Sequence, residues 1–520
     1  MEGLILSNLS FPYTCDINLK YMNKILQVSD KIQHEYCCTV VRIGELVPIE
    51  GSDFLATTQV TGIQIVVRKD ETKTGDIMIY AMNETQLNKE FLSANNLFEL
   101  SERALNKNYQ EVQSLLDERK EDEAKRKVGF FNKHGRVKCI RLRKQPSFGF
   151  LFHPDAIYKW KPELTGKIDF ESMINQDFDM IDGELFVKVY IPFVPERRGA
   201  NRRPAEKGVK KVDHIIDGQF FKHYDTTLLN KAIDQINQND VVSISVKLHG
   251  TSAIFANIIC NVPKFINTRW KWFNNIVNYI KVSLPERYQK VEKKYDLIYS
   301  SRNIIKNKYI KVSRKKGVWT GGYDDIWEEY ANILRPYIPN GMTVYGEICG
   351  YASGDTKMIQ KGYDYGCAVG KNFFMPYRIT TQNGEGEKIY EWNVSEVYDW
   401  TIKTMEIMPM EVKARIHPID ILYHGSLTEL YPNIATDENW HSKVLESLKN
   451  EKRFGMEKKE PMCIQSVPRE GIVLRIDNDP LREAFKLKSV SFLEREQKLV
   501  DQGEVDTEML EGYNSDQVVE

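Results

Sequence analysis

The sequence predicts an α+β protein of more than one domain, and three observations carry that prediction. Short β-rich runs with turn punctuation fill much of the first 190 residues: CTVVRIGELVPI (38–49), TTQVTGIQIVVRKD (57–70), GDIMIYAM (75–82) and GRVKCIRLRKQPSFGFLF (135–152). The second half opens on a strictly alternating strand, VVSISVK (241–247), and continues through the apolar strands DLIYSS (296–301), VYGEICGY (344–351) and REGIVLRID (469–477). A stretch of helical composition at 395–455 separates the last two of these strands. At 520 residues the chain has room for about three folding units.

Taken in order, residues 1–190 form one module. Within it, SERALNKNYQEVQSLLDERKEDEAKRK (101–127) is helical and then simply charged, and reads as an excursion from the β-structure. Lys138, Arg141, Arg143 and Lys144 follow on a strand that either meets a polyanion or is a solvated edge. Residues 191–235 contain the basic run PERRGANRRPAEKGVKK (196–211), broken by prolines and glycines as in a linker or flap, and the segment FFKHYDTTLL (220–229). Residues 236–495 hold the long strands, with a stretch of helical composition at 395–455 in which nothing suggests chemistry. The tail 496–520 turns acidic, with seven acids and no Lys or Arg from Asp501 onward, and is expected to be disordered.

Composition narrows the class. Apolar content of 42% and charged content of 28% are those of an ordinary globular protein. The eight cysteines show neither a C-x-x-C pair nor a zinc-type spacing and read as reduced thiols. The amino terminus lacks a basic region followed by an apolar run, and no stretch of about 18 apolar residues occurs, so neither secretion nor membrane spanning is expected. Cytoplasmic or otherwise intracellular action is the expectation, including that of a viral protein in a host cell. No obligatory protein partner is evident, and no P-loop, H-E-x-x-H, EF-hand or internal repeat is found.

The most informative residue is Lys247. Val242, Ile244 and Val246 point to one face of their strand and Ser243, Ser245 and Lys247 to the other, so the amine leaves the core side just as the chain turns through KLHGTS (247–252). Gly250 lets the backbone turn tightly and approach a ligand. A lysine amine attacks phosphorus only when unprotonated, and burial beside other cations favours that state. Arg302 in SSRN is placed to hold a ribose hydroxyl or a phosphate. Glu347 and Glu470 lie in strand contexts from which two carboxylates can hold the water shell of Mg²⁺. In AFKLKS (484–489), Lys486 and Lys488 are spaced to aim both ammonium groups at one face, as a phosphate clamp requires. Each residue alone has an ordinary structural explanation; five in this order do not share one.

In that order these segments resemble the five motifs of the covalent nucleotidyltransferases: ATP-dependent DNA ligases, RNA ligases and mRNA-capping guanylyltransferases. KLHGTS, with His249 where DNA ligases and capping enzymes usually carry Asp, is similar to the phage RNA ligase 2 and editing-ligase branch. IQKGYDYG (359–366) and KNFFMPYRI (371–379) resemble that branch's segment with an adenine-stacking aromatic, here Tyr377 after Pro376, where relatives generally have Phe. PIEGSDFLATTQVTGIQIVVRKDETKTGDIMIYAM with KCIRLRKQPSFGFLF resembles the amino-terminal OB module of Deinococcus-type and Naegleria-type RNA ligases. The resemblance implies an OB-type β-barrel followed by an adenylyltransferase (ATP-grasp-like ligase) domain of twisted antiparallel sheets with helices. Only 32 residues follow Lys488, so no carboxy-terminal barrel is expected.

Charge points to the substrate class. Between Lys264 and Lys316 stand fifteen Lys and Arg against three acids, a local net of +12 in a chain of net −1. Trp270, Trp272 and Phe273 lie among these cations, and Lys306, Lys308, Lys311, Arg314, Lys315 and Lys316 follow Arg302. Such a surface attracts a phosphate backbone through counterion release, which favours a polynucleotide over a small phosphorylated acceptor. What the resemblance then implies is an ATP-dependent RNA ligase acting on a nicked duplex or broken ends through a lysyl-adenylate on Lys247, in RNA repair or end joining. It would bind ATP through Lys247, His249, Gly250, Arg302, Glu347, Tyr377, Glu470, Lys486 and Lys488. Mg²⁺ or Mn²⁺ would sit on Glu347 and Glu470. Two alternatives stay open: a DNA ligase or capping guanylyltransferase using the same lysine, and a non-catalytic protein that binds RNA ends.

Overall fold

A computed structural model describes residues 25–29, 36–191, 214–222, 226–263, 291–302, 305–306 and 326–503. The chain divides into two compact units, Met1–Ile191 and Pro192–Glu520.

The first unit is α+β, with short antiparallel strands. Its largest sheet orders Phe150–Phe152, Ile77–Ala81, Cys38–Arg42 and Asp177–Phe178. Leu55–Val60 and Ile63–Arg68 form a hairpin turning at Thr61 and Gly62, whose φ of 46° and 67° are the two positive values that a tight turn matched to strand twist requires. Aromatic packing fills the core: the Phe91 ring stands edge-on to Phe186 at 4.9 Å and near Phe152 at 5.1 Å. The stretch 101–127 is helical, with a 3₁₀ turn at Leu100–Leu105 and helices at Tyr109–Asp117 and Glu121–Arg126. Against the expectation of an OB-type barrel, the strands fall into separate small sheets, and none closes into a barrel among the described residues.

The second unit is built on two sheets. The five-stranded sheet orders Thr227–Leu228, Phe485–Lys488, Gly471–Ile476, Val241–Lys247 and Ile421–Ser426; all its pairs are antiparallel except the first. The six-stranded sheet is antiparallel and orders Ile305–Lys306, Val291–Ser300, Thr251–Pro263, Met342–Gly350, Asn372–Gln382 and Lys388–Glu391. The period-2 pattern of VVSISVK is realised as read. Val242 and Ile244 enter a core with Ile472, Leu474, Ile476, Phe485 and Leu487 under the helix Trp440–Asn450. On the six-stranded sheet, Phe255, Val344, Ile348 and Phe374 pack beneath the helix Ile326–Leu334 and against Val397 of the helix Val394–Ile407. A third cluster draws Val246 from one sheet and Cys349, Phe373 and Met375 from the other.

The reading of 395–455 as helical needs correction. Helices occupy Val394–Ile407 and Trp440–Asn450, but Ile421–Ser426 between them is a strand paired with the Lys247 strand, Val241 opposite Ser426 and Ile244 opposite Tyr423. Only that pairing makes a strand of six residues set in helical surroundings.

Candidate active site

The Lys247 strand belongs to one sheet and Thr251–Pro263 to the other, so the three residues Leu248, His249 and Gly250 form the crossing between them. Gly250 is required there by contact: a Cβ would stand 2.4 Å from the Ile348 carbonyl oxygen, 2.7 Å from Cys349 Sγ and 2.9 Å from Glu347 Cγ. The crossing is held by its own polar groups. Gly250 N donates to Glu347 Oε1 at 3.1 Å, Gly250 O accepts from Gln360 Nε2 at 2.7 Å, and His249 N donates to the Tyr365 hydroxyl at 2.6 Å. Gln360 and Tyr365 come from IQKGYDYG, the segment singled out in the sequence.

Sheet register sets the charges. Lys247 lies opposite Gly471, and Gly471 opposite Lys488, so the two lysines flank a residue with no side chain. Residues directly opposite in a sheet share a face, which puts Lys247 and Lys488 together; Lys486, opposite Val473, follows on the same face. The backbone of Gly471 has φ +153°, and a Cβ there would stand 2.0 Å from the Leu487 carbonyl oxygen.

Glu470 sits at the centre of this group. Its Oε1 is 2.8 Å from Lys247 Nζ and 3.7 Å from Lys488 Nζ, and its side chain is only 3% exposed. Burial pushes the carboxyl pKa up, but Lys247, Lys488 and His249 together outweigh burial and hold it below the ordinary glutamate range. His249 bridges outward, with Nδ1 3.8 Å from Glu470 Oε2 and Nε2 3.5 Å from Glu496 Oε1. The rings of Tyr363 and Phe492 stand edge-on to its imidazole at 4.9 and 5.0 Å. Burial likewise raises Glu496, and His249 and Lys488 overcome it to leave its pKa lowered.

Glu496 and Phe492 were not found by sequence reasoning. Both lie on the helix Val490–Asp501, which starts directly after the Lys488 strand and is capped by the Ser489 side chain. The signal available was a serine N-cap followed by Phe492 and Glu496 four residues apart, hence on one helix face.

The remaining expected residues are placed as follows. Glu347 lies inside the strand Met342–Gly350, opposite Ser252 on one side and Met375 on the other. Arg302 follows the end of Val291–Ser300 and is half-buried. Tyr377 is the extra residue of a bulge, since Gly346 pairs with Pro376 and Tyr345 with Arg378; a proline without an N–H is well accommodated there. Tyr377 is partly buried, and its carbonyl accepts from Arg475 Nη1 at 3.1 Å. Lys306 ends a two-residue strand paired with Tyr299. Lys308, Lys311, Arg314, Lys315 and Lys316 lie outside the described residues, as do Trp270, Trp272, Phe273 and the basic run 196–211.

Beside the crossing is a cavity of about 480 Å³ lined by Leu248, Phe373, Met375, His417, Ile419 and Asp420, among others. Met375 stands directly opposite Glu347, so the cavity opens on the Glu347 face of its sheet. Phe373 and His417 are stacked with centroids 4.2 Å apart, and burial lowers the His417 pKa, which keeps its imidazole neutral at pH 7. Among the described residues Tyr377 does not line this cavity.

No family model matches the chain, and no curated protein sequence matches it. Among solved structures it is similar to those of a Naegleria gruberi RNA ligase. A mutant of that protein with AMP and Mn shares 16% identity at a TM-score of 0.49, covering 88% of this chain and 98% of that one. Another with ATP and Mn gives the same figures. The complex with PPi shares 15% identity at a TM-score of 0.47, covering 89% and 99%. No helix among the described residues is long and apolar enough to cross a membrane.

Proposed function

We propose that this chain is an ATP-dependent RNA ligase that works through a covalent lysyl-adenylate on Lys247. The observation that carries the reading is the group in which Glu470, buried at the crossing of the two sheets, lies 2.8 Å from Lys247 and 3.7 Å from Lys488. Lys247 Nζ, freed of its proton, attacks the α-phosphorus of ATP; the N–P bond forms as the α–β bridging bond breaks, and pyrophosphate leaves. AMP then passes to an RNA 5′-phosphate, and a 3′-hydroxyl displaces it to form the phosphodiester. Lys488 and Lys486 on the same strand face neutralise phosphate oxygens, and Arg302 holds the ribose or the incoming phosphate. The cavity beside Leu248 takes the base, against the apolar faces of Phe373 and Met375.

Glu470 and Glu347 suit a divalent cation. Glu470 Oε2 is buried and has no hydrogen-bond partner among the described residues, which is the kind of oxygen a hard cation or its water takes up. A Mg²⁺ or Mn²⁺ ion there would draw off the carboxylate charge that favours the protonated form of Lys247 and stabilise negative charge on the transferring phosphoryl group. That the acceptor is a polynucleotide is supported by the +12 block between Lys264 and Lys316, and RNA by the resemblance of KLHGTS to RNA ligases. The first unit would serve it as an RNA-binding module.

The test is incubation with Mg²⁺ and either [α-³²P]ATP or [α-³²P]GTP. Label that stays with the protein through denaturing electrophoresis from ATP alone, stable to alkali and released by acid as an N–P bond is, and lost in Lys247→Ala, is expected. Label from GTP would replace this reading with capping, and label surviving in Lys247→Ala would remove the nucleophile.

A further inference from the structure

Far along the second unit from Lys247, three side chains of different donor chemistry converge: the imidazole of His214, the thiol of Cys260 and the carboxylate of Asp296. One ligand atom from each lies within 4.8 Å of the others. We propose that these residues form a site for Zn²⁺ or a similar thiophilic divalent cation, separate from the candidate active site. Cys260 lies nine residues beyond Thr251 on one strand, about 30 Å at the usual rise per residue.

Sheet geometry prepares the group. Cys260 pairs with Lys294 and Ile258 with Asp296, so Cys260 and Asp296 form a diagonal pair on one face of adjacent strands. His214 is brought to them by the segment before the candidate adenylylation domain: Asn261 N donates to His214 O at 3.0 Å, and Ile215 bridges Cys260. The ring is oriented by Nδ1, which lies 2.6 Å from the Asn261 carbonyl oxygen. A carbonyl can only accept, so Nδ1 carries the proton and Nε2 holds the ligating lone pair. This is the backbone-anchored imidazole usual at metal sites.

Asp296 is steadied in the same way, since Leu297 N at 2.9 Å and Arg335 Nη1 at 3.3 Å both donate to its Oδ1. His214 is 8% and Cys260 0% exposed, in an apolar shell that includes Ile258 and Val262. One sulfur, one imidazole nitrogen and one carboxylate oxygen are a zinc-type set, ill suited to Mg²⁺. Tetrahedral coordination sets ligand atoms about 3.3–3.6 Å apart, so closure asks for movements of roughly 1 Å. On binding, the Cys260 thiol, which now donates to Lys294 O at 3.7 Å, gives its proton to solvent and forms the metal–sulfur bond. The bound ion would pin residues 214–222 to the edge of the sheet.

The test uses the full chain, stripped with chelator and titrated with Co²⁺, whose thiolate ligation gives a near-ultraviolet charge-transfer band that oxygen sites do not. The expected result is one equivalent bound with that band, displaced by Zn²⁺ but not by excess Mg²⁺. Cys260→Ser should abolish the band, and Cys367→Ser should keep it. Because Cys260 is a core residue, Asp296→Asn supplies a second test: with a native circular dichroism spectrum, it should weaken Co²⁺ binding about 10-fold or more. Absence of the band in the unaltered chain, its persistence in Cys260→Ser, or unchanged affinity in Asp296→Asn would each overturn the proposal.

Discussion

Replacing Glu470 by Gln tests the central feature of the site, because it keeps the shape of the side chain while removing the negative charge that lies close to both Lys247 and Lys488. At 2.8 Å and an effective dielectric near 20, the Lys247–Glu470 attraction is on the order of 6 kcal/mol. Lys247 is 24% exposed, and solvent screens much of that. The effect that survives for a close opposite charge is about 1–3 pKa units, or roughly 1.4–4 kcal/mol between the two protonation states. The sign follows directly: losing the anion disfavours the ammonium, and Lys488 nearby disfavours it further, so the Lys247 pKa falls. The assay is the pH dependence of Lys247 modification by an amine-selective acylating reagent, followed by peptide mass spectrometry without metal. The half-maximal pH should drop by about 1–3 units in Glu470→Gln, while adenylylation with Mg²⁺ should fall with loss of the proposed ligand carboxylate. A midpoint that stays in place or rises would refute the reasoning.

Three other outcomes are expected. Gly471→Ala, with a Cβ 2.0 Å from Leu487 O, should destabilise the second unit by roughly 3 kcal/mol or more in urea melts. Gly354→Ala, at φ +69° with nothing within 4 Å, should cost only about 1 kcal/mol, and equal losses at the two positions would discredit the contact argument. Glu470 and Glu496 both have lowered pKa values, so their contribution to stability is present above the unfolded glutamate pKa of about 4.3 and is lost as pH falls through the folded values. The loss of stability below about pH 4 should be shallower in Glu470→Gln/Glu496→Gln than in the unaltered chain; identical profiles would count against the charge cluster. Phe373→Ala should raise KM for ATP in autoadenylylation about 10-fold at a nearly unchanged saturated rate, by loss of base contact. A fall in rate with constant KM would move the base elsewhere.

Much of this arrangement was legible residue by residue. The alternation of VVSISVK announces a strand with Lys247 on the polar face, and the two-residue spacing of Lys486 and Lys488 announces a shared face, since both depend only on the local period of a strand. Less legible was Ile421–Ser426: six residues between two helices have no strand signal stronger than their neighbours, and their pairing with Val241–Ser245 supplies the missing hydrogen bonds. Glu496 reads as one more charge on a polar helix until the helix is laid against His249. The partner of Glu470 was also hidden, because a carboxylate before an apolar strand can face a metal, a lysine or water.

By itself the sequence determined the order of the candidate motifs, the strand-ending position of Lys247, the α+β class and the concentration of positive charge between Lys264 and Lys316. These follow from composition and short-range periodicity, which any segment carries within itself. Tertiary structure alone decided that Lys247, Gly471 and Lys488 form one row, that Glu470 is buried among their charges, and that His214 meets Cys260 and Asp296. The physical reason is register: a shift of one residue in any of these pairings would carry every side chain to the opposite face. That choice is made by packing between distant stretches of chain.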